Sequence, residues 1–197
     1  MQLEHGFKMV HLKVLLVSTI LFASSAFAQK IDLSSGAKVE FDAIGKPAMI
    51  NIKGTGAKAT GALSSIDKVL SGEFIVNLKD FTTDMDLRDE HMKEKYLEVE
   101  KSGYDKATLK INQKVETTMP ASGSWEPQGL KGLLTLHGVT KEVPLTCKLN
   151  IKDSTAAGVV NFKIKVQDFK IDIPSFAGVT MADEVDVKVM VNNKVTP

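Results

Sequence analysis

The sequence predicts an all-β protein, a closed antiparallel barrel of about eight strands with one short helix near the barrel mouth. Apolar and polar residues alternate along most of the chain, which is typical of strands with one buried and one solvent-facing side. Turn residues separate these runs at hairpin intervals, and only one segment has helical periodicity. A β-sandwich is the alternative architecture.

The alternating runs define which side chains point inward. Lysine and other polar residues occupy the opposite face of each run, so the apolar faces are expected to share one interior. A closed barrel is favoured over an open sheet because closure leaves no unpaired strand edge. The predicted inward-facing residues are Val39, Phe41 and Ala43; Phe74, Val76 and Leu78; Ala107, Leu109 and Ile111; Leu134 and Leu136; Val160, Phe162, Ile164 and Val166; and Val185, Val187, Val189 and Val191.

The segment from Asp86 to Glu98 breaks the alternation and is predicted to form the helix. It is rich in helix formers, it offers Asp86 as a candidate N-cap, and its acidic residues precede its lysines, as the helix dipole favours. Met92, Tyr96 and Val99 recur at helical spacing and give one apolar stripe. In an all-β chain, such a helix is most simply a lid against a barrel mouth.

Residues 1–28 are predicted to be a cleavable signal peptide. The apolar run Val14–Phe22 is too short to span a bilayer, and Ala26-Phe27-Ala28 has the small-residue pattern of a cleavage site. Met9 is an alternative start to Met1. Residues 29–197 are then expected to form one periplasmic domain without stable membrane insertion.

The charge balance of the mature chain argues against several functional classes. Removal of residues 1–28 leaves 169 residues with 23 basic and 23 acidic side chains. A balanced chain lacks the positive surface of a nucleic-acid-binding protein. Lysines on the strand faces and few aromatic residues also disfavour an outer-membrane barrel.

Catalytic and metal-binding signals are weak in the mature chain. It has two isolated histidines, His91 and His137, which form neither a hydrolytic triad nor a metal-ligand spacing with other residues. Cys147, the one cysteine, lies on the apolar face of an alternating run and is expected to be a buried, inert thiol. We therefore expect no enzyme activity, no catalytic residues, no metal site and no cofactor.

The stretch from Thr117 to Gln128 is the longest irregular one. It contains Pro120, Trp125 and Pro127. Long loops in compact domains are often functional, and a flexible hairpin connection is the alternative.

Three stretches, in the expected order, resemble YceI-like proteins. Residues 78–98 contain Arg88-Asp89-Glu90-His91-Met92, which resembles the R-D-x-H-[ML] core that follows a strand and a Thr-bearing turn in this family. Val39–Pro47 resembles the opening strand with its I-G-K-P turn, and Leu133–Lys141 resembles the hairpin motif L-T-[IL]-[RH]-G-V-T-K.

The resemblance implies an extended eight-stranded antiparallel barrel of lipocalin-like form, in which some members hold polyisoprenoids or other amphiphiles. We therefore expect an exported, non-catalytic carrier or sequestering protein for a polyisoprenoid, a quinone or a fatty-acid-like lipid. The alternatives are a periplasmic enzyme acting on a lipid-like substrate, and a packed structural or stress-response barrel without ligand. The sequence leaves open the ligand's identity and whether two copies form a homodimer.

The expected pocket combines an aliphatic interior with a polar end. Small and medium inward-facing residues leave room for an aliphatic chain, and each buried methylene contributes about 0.8 kcal/mol. Arg88 and His91 share a helix face and could hold a phosphate or quinone head group. Their structural alternative is that Arg88 pairs with Asp84 or Asp89 and that His91 bonds a nearby carbonyl. The predicted ligand-binding residues are Phe41, Phe74, Phe81, Met85, Arg88, His91, Met92, Tyr96, Leu134 and Phe162.

Overall fold

A single antiparallel sheet dominates the computed structural model, which describes residues 28–47, 50–176 and 178–197. Every strand pair in the described part of the chain is antiparallel, so the predicted all-β class is confirmed. The strands are β1 (Gln29–Asp32), β2 (Ala37–Lys46), β3 (Ile50–Gly54), β4 (Lys58–Ile66), β5 (Val69–Asn77), β6 (Lys106–Lys114), β7 (Gly123–Trp125), β8 (Lys131–Leu136), β9 (Val139–Pro144), β10 (Thr146–Lys152), β11 (Thr155–Lys165), β12 (Ser175–Phe176) and β13 (Val179–Thr196).

The inward-facing sides predicted from alternation are confirmed by burial. The predicted inward positions are buried or half-buried and belong to one continuous apolar cluster. On β10, for example, Cys147 and Leu149 are buried and the lysine between them is exposed. The core therefore lies on the inner side of the curved sheet.

The strand count differs from the predicted eight because several long runs are interrupted. The sheet comprises thirteen strands among the described residues, and within them no ladder joins its terminal strands β7 and β9. Only Leu145 separates β9 from β10, and its N–H donates to the carbonyl of Leu130 at 2.8 Å. β9 pairs with β8, and β10 pairs with β7 and β11. The eight-stranded closed barrel stays a prediction.

The predicted helix is present but shorter and less regular than expected. Helix α1 (Asp86–Glu90) continues into a π-helical turn, His91–Tyr96. The N-cap prediction was wrong: Met85 occupies the cap without a side-chain hydrogen bond, and Asp86 is the first helical residue. Glu98 has a left-handed φ of 49°, which explains why the helix ends before it. Val99 thus lies outside the predicted apolar stripe. We call residues 86–96 the mouth helix.

Part of the long loop predicted from Thr117 to Gln128 is ordered as a strand. β7 lies within it and pairs with β10, with Trp125 opposite Leu149. Trp125 is 2% exposed, and burial of its large side chain explains the departure from an irregular loop.

The predicted signal peptide lies outside the described residues, apart from the exposed Ala28. Within the part of the chain that the structure describes, no helix has both the length and the apolar character that crossing a bilayer requires.

Candidate functional site

An apolar cavity of about 470 Å³ lies inside the curved sheet. Side chains from β1–β6, β8, β10, β11 and β13 form its wall, and the mouth helix contributes to one end. Thr83, Arg88, His91 and Tyr96 are the polar residues on a wall otherwise made almost entirely of aliphatic and aromatic side chains. The volume falls within the range of small-molecule sites, about 300–1,000 Å³.

All ten residues predicted to bind a ligand lie on the wall of this cavity. Their contact with a ligand stays a prediction, but the structure brings them together around one space. The ten are Phe41 on β2, Phe74 on β5, Phe81 after β5, Met85, Arg88, His91, Met92 and Tyr96 in and before the mouth helix, Leu134 on β8, and Phe162 on β11.

Sequence reasoning missed several wall residues at the starts of strands and in the connection before β12. Ile50 begins β3, Pro174 precedes β12, and Val179 and Met181 begin β13. Two-residue steps back from Val185 reach Met181 and Val179 on the same face, but they pass through the charged Asp183, beside an irregularity between Met181 and Val185. The interruption at Asp183 is why the alternating run was not extended to them. The available signal was the run of apolar residues before and at the start of β13, which Pro174 and Gly178 interrupt.

The mouth of the cavity lies at the helical end. Ile50 and Met85 line the cavity although they are 42% and 47% exposed, which marks the place where the apolar wall reaches solvent. The Tyr96 hydroxyl donates to the carbonyl of Ser175 at 3.2 Å and accepts from its N–H at 3.1 Å. These bonds tie the mouth helix to the segment that precedes β13.

A buried carboxylate anchors the start of the mouth helix. Asp89, 8% exposed, accepts hydrogen bonds from the Thr82 hydroxyl at 2.6 Å, from the Thr83 N–H at 2.8 Å and from the Thr83 hydroxyl. Burial raises the pKa of Asp89, but the bonds from the two threonines outweigh burial and hold the pKa below its usual range. Asp89 therefore stays ionised and fixes the helix against the turn after β5.

Arg88 is held by a threonine rather than by an acid. Its Nε donates to the Thr83 hydroxyl at 2.7 Å, and a terminal nitrogen donates to the Thr83 carbonyl. The alternative ion pairs were wrong: within the described ranges no salt bridge joins Arg88 to Asp84 or Asp89. These bonds orient a guanidinium on the cavity wall, where its further N–H groups suit an acceptor oxygen. His91 lies on the same wall.

His137 belongs to a separate structural cluster that sequence reasoning missed. Its ring nitrogens lie 3.1 Å from the Phe169 carbonyl and 3.0 Å from a carboxylate oxygen of Glu98, and its ring stacks at a tilt on Tyr104. Hydrogen bonds from Lys101 and His137 lower the pKa of Glu98. The cluster joins the β8–β9 turn to the segment after the mouth helix and does not line the cavity.

Cys147 lies on the cavity wall and is 4% exposed. Burial raises the pKa of its thiol to about 12. The side chain therefore behaves as a small apolar wall residue at neutral pH, as the sequence predicted.

Comparison with known proteins gives one family over most of the chain. The YceI-like domain model matches residues 30–192. A polyisoprenoid-binding domain from Saccharophagus degradans is 13% identical, with a TM-score of 0.62 over 85% of this chain and 98% of that domain. BcnA from Burkholderia cenocepacia is 17% identical, with a TM-score of 0.57 over 85% and 99%. These likenesses show the fold, and no curated protein matches the sequence.

Proposed function

The chain belongs to the YceI-like domain family, and from that premise we propose that it is a non-catalytic carrier or sequestering protein for a long apolar amphiphile. The ligand class is a polyisoprenoid, quinone or fatty-acid-like lipid, held inside the sheet. The similar domain from Saccharophagus degradans is described as polyisoprenoid-binding, which supports this class. We further propose that the protein acts in the periplasm after export by its signal peptide.

The single observation that carries the proposal is the apolar cavity. If each methylene takes about the volume of a water molecule in the liquid, about 30 Å³, the 470 Å³ of the cavity accommodates roughly 16 carbons. With about 0.8 kcal/mol for each buried methylene, burial of such a chain alone supports micromolar or tighter binding. A packed barrel without ligand fits this unfilled interior poorly, since protein cores are normally close-packed.

The strand connections support closure of the sheet into an eight-stranded barrel. β9 and β10 form one bent strand around Leu145, which pairs with β8 in its first half and with β11 in its second. β1 and β2 fill a single position between β13 and β4. If β9 with β10 and β1 with β2 each count as one strand, the barrel has eight strands, a number that can enclose one slim ligand.

The polar head of the ligand is proposed to lie beside Arg88. Thr83 fixes two donors of the guanidinium, which positions its further donors without an entropy cost on binding. A carbonyl, carboxylate or phosphate oxygen would satisfy them. The aliphatic tail would then run away from the mouth helix along the strands.

The proposal is tested by organic extraction and native mass spectrometry of protein purified from its own periplasm. A lipid should co-purify with the wild type. Met92→Arg, which introduces a charge on the cavity wall, should abolish co-purification while the circular dichroism spectrum remains that of a β protein.

Leu87→Arg is the matched control because Leu87 is 49% exposed and does not line the cavity. It should retain the lipid. An empty wild-type protein, or equal lipid content in Met92→Arg, would overturn the proposal.

A further inference from the structure

The cavity ends abruptly along strand β10, far from the mouth helix. The inward-facing residues of this strand follow one another as Cys147, Leu149 and Ile151. Cys147 and Leu149 line the cavity, but Ile151 does not, although it is 1% exposed. Beyond Leu149 the interior is therefore filled by side chains.

The neighbouring strands stop lining the cavity at the same level. Ile151 pairs with Ala156 on β11, and Ala156 pairs with Asn193 on β13. Ala156 is 0% and Asn193 3% exposed, and neither is on the wall. Asn193 donates through its Nδ2 to the hydroxyl of the exposed Ser35 at 3.0 Å, and its Oδ1 accepts from the Asn192 N–H at 3.1 Å, so its buried amide is satisfied.

The opposite side of the sheet is closed in the same way. Ser65 on β4 pairs with Leu70 on β5; both are buried, at 4% and 0% exposure, and both lie outside the cavity wall. We call Ser65, Leu70, Ile151, Ala156 and Asn193 the floor layer. Because cross-strand partners stand side by side on one face, these residues form two buried groups at the end of the interior opposite the mouth helix, and none of them is on the cavity wall.

The long loop singled out in the sequence lies at the same end of the sheet as the floor layer, where Gly123 pairs with Ile151. Val115 donates its N–H to the carbonyl of Lys68 in the β4–β5 turn at 2.8 Å, which places the start of the loop at this end. Trp125, opposite the wall residue Leu149 on β10, and Met119 are 2% and 5% exposed. The Trp125 Nε1 donates to the Thr117 carbonyl at 3.4 Å. The loop thus packs against this end of the sheet through two buried side chains.

We propose that the floor layer sets the length of the ligand's aliphatic chain. This inference rests on the proposed lipid-binding function. The ligand enters tail first through the mouth near Met85, and its terminal methyl group comes to rest against Leu149, the wall residue next to Ile151 on the inner face of β10. The polar head then stays beside Arg88. A chain longer than the distance from mouth to floor leaves part of its length outside the apolar wall and gains nothing from the added methylenes.

The test measures affinity against chain length. Even-numbered saturated fatty acids, from decanoic to tetracosanoic acid, are used to displace a fluorescent fatty-acid probe from the delipidated mature protein. In the wild type, affinity should rise by about fourfold for each added methylene and then level off or fall beyond one optimal length. The position of that optimum is the measured quantity.

Two variants should move the optimum in opposite directions. Ile151→Ala removes three carbons from the floor and should shift the optimum to chains longer by about two to four carbons. Leu149→Phe enlarges a wall residue next to the floor and should shift it to shorter chains. The second variant keeps the test decisive if the first fails to fold.

Val99→Ala is the control, since Val99 is 3% exposed and lies outside both the wall and the floor layer. It should lower stability and leave the optimum unchanged. If the wild type shows an optimum that neither Ile151→Ala nor Leu149→Phe moves, the floor assignment is wrong and lipid binding stands. If the wild type binds no fatty acid and carries no native lipid, the proposed function fails.

Discussion

Replacement of Asp89 by Asn should loosen the attachment of the mouth helix and lower the stability of the protein. The carboxylate accepts three hydrogen bonds from Thr82 and Thr83. An amide of the same shape loses the charge and turns one acceptor into a donor. Hydrogen bonds to a buried charged group contribute about 1.5–3 kcal/mol, so we expect a loss of about 2 kcal/mol in the free energy of unfolding. For a domain of this size, Tm should fall by about 4–8 °C.

The effect of Asp89→Asn should depend on pH in a defined direction. The folded-state pKa of Asp89 lies below its ordinary 3.8, so the ionised carboxylate stabilises the fold above that value. Its contribution is lost as the pH falls through 3.8 toward the folded-state pKa. The stability difference between the wild type and Asp89→Asn should therefore be largest near neutral pH and should shrink below about pH 4.

Urea unfolding followed by circular dichroism at several pH values measures both effects. Asp86→Asn is the control, because Asp86 is an exposed acid on the same helix and should change the free energy of unfolding by less than about 0.5 kcal/mol. An Asp89→Asn protein as stable as the wild type at neutral pH would refute the anchoring argument. A loss that stays constant down to about pH 3 would show that shape and not charge is responsible.

Three further predictions follow from other parts of the structure. His137→Asn removes the imidazole but keeps a residue that tolerates the left-handed φ of 50°. It should lower the free energy of unfolding in urea by about 1–3 kcal/mol, because the bonds to Glu98 and Phe169 are lost. Cys147 should resist a water-soluble thiol reagent at about pH 8 until urea unfolds the chain, because its thiol pKa is about 12; rapid labelling of the native protein would contradict its burial. Gly54→Ala would place a Cβ 1.9 Å from the Phe41 ring, so the ring must move. We expect a loss of about 1–3 kcal/mol in the free energy of unfolding and an altered affinity for lipid. Unchanged stability and affinity would show that Phe41 has free space behind it.

The cavity wall could be predicted from the sequence because the alternation of apolar and polar residues within each strand identifies the side that faces inward. Phe41, Phe74 and Phe162 lie inside as their alternation required. Period-two patterning is local, so it survives errors in strand number and register. The same property explains the limit of the method: alternation gave no reason to divide β9 from β10 at Leu145 and no means of counting barrel positions.

The choice of side-chain hydrogen-bond partners was beyond such reasoning, both for neighbours and for residues distant in the sequence. The Arg88 side chain was expected to pair with Asp84 or Asp89, yet it donates to Thr83, while the Asp89 carboxylate accepts three hydrogen bonds from Thr82 and Thr83. The His137 cluster joins residues 39 positions apart. Neither arrangement has a spacing that a single sequence reveals.

The contrast between wall and floor argues that the cavity is a selected feature and not a packing defect. Both are built from inward-facing residues of the same strands. In the floor layer the side chains of Leu70, Ile151 and Ala156 are fully buried, whereas the wall residues next to them surround an open cavity. Apolar space left unfilled by side chains costs about 24 cal/mol for each Å³, which for 470 Å³ is about 11 kcal/mol. That is as large as the whole stability of a typical domain. A bound apolar chain would recover the missing contacts and stabilise the folded state, whereas larger side chains at Ala59, Ala107 or Val189 could have filled the space directly. The retention of small wall residues above a tightly packed floor is therefore best explained by a ligand that completes the core.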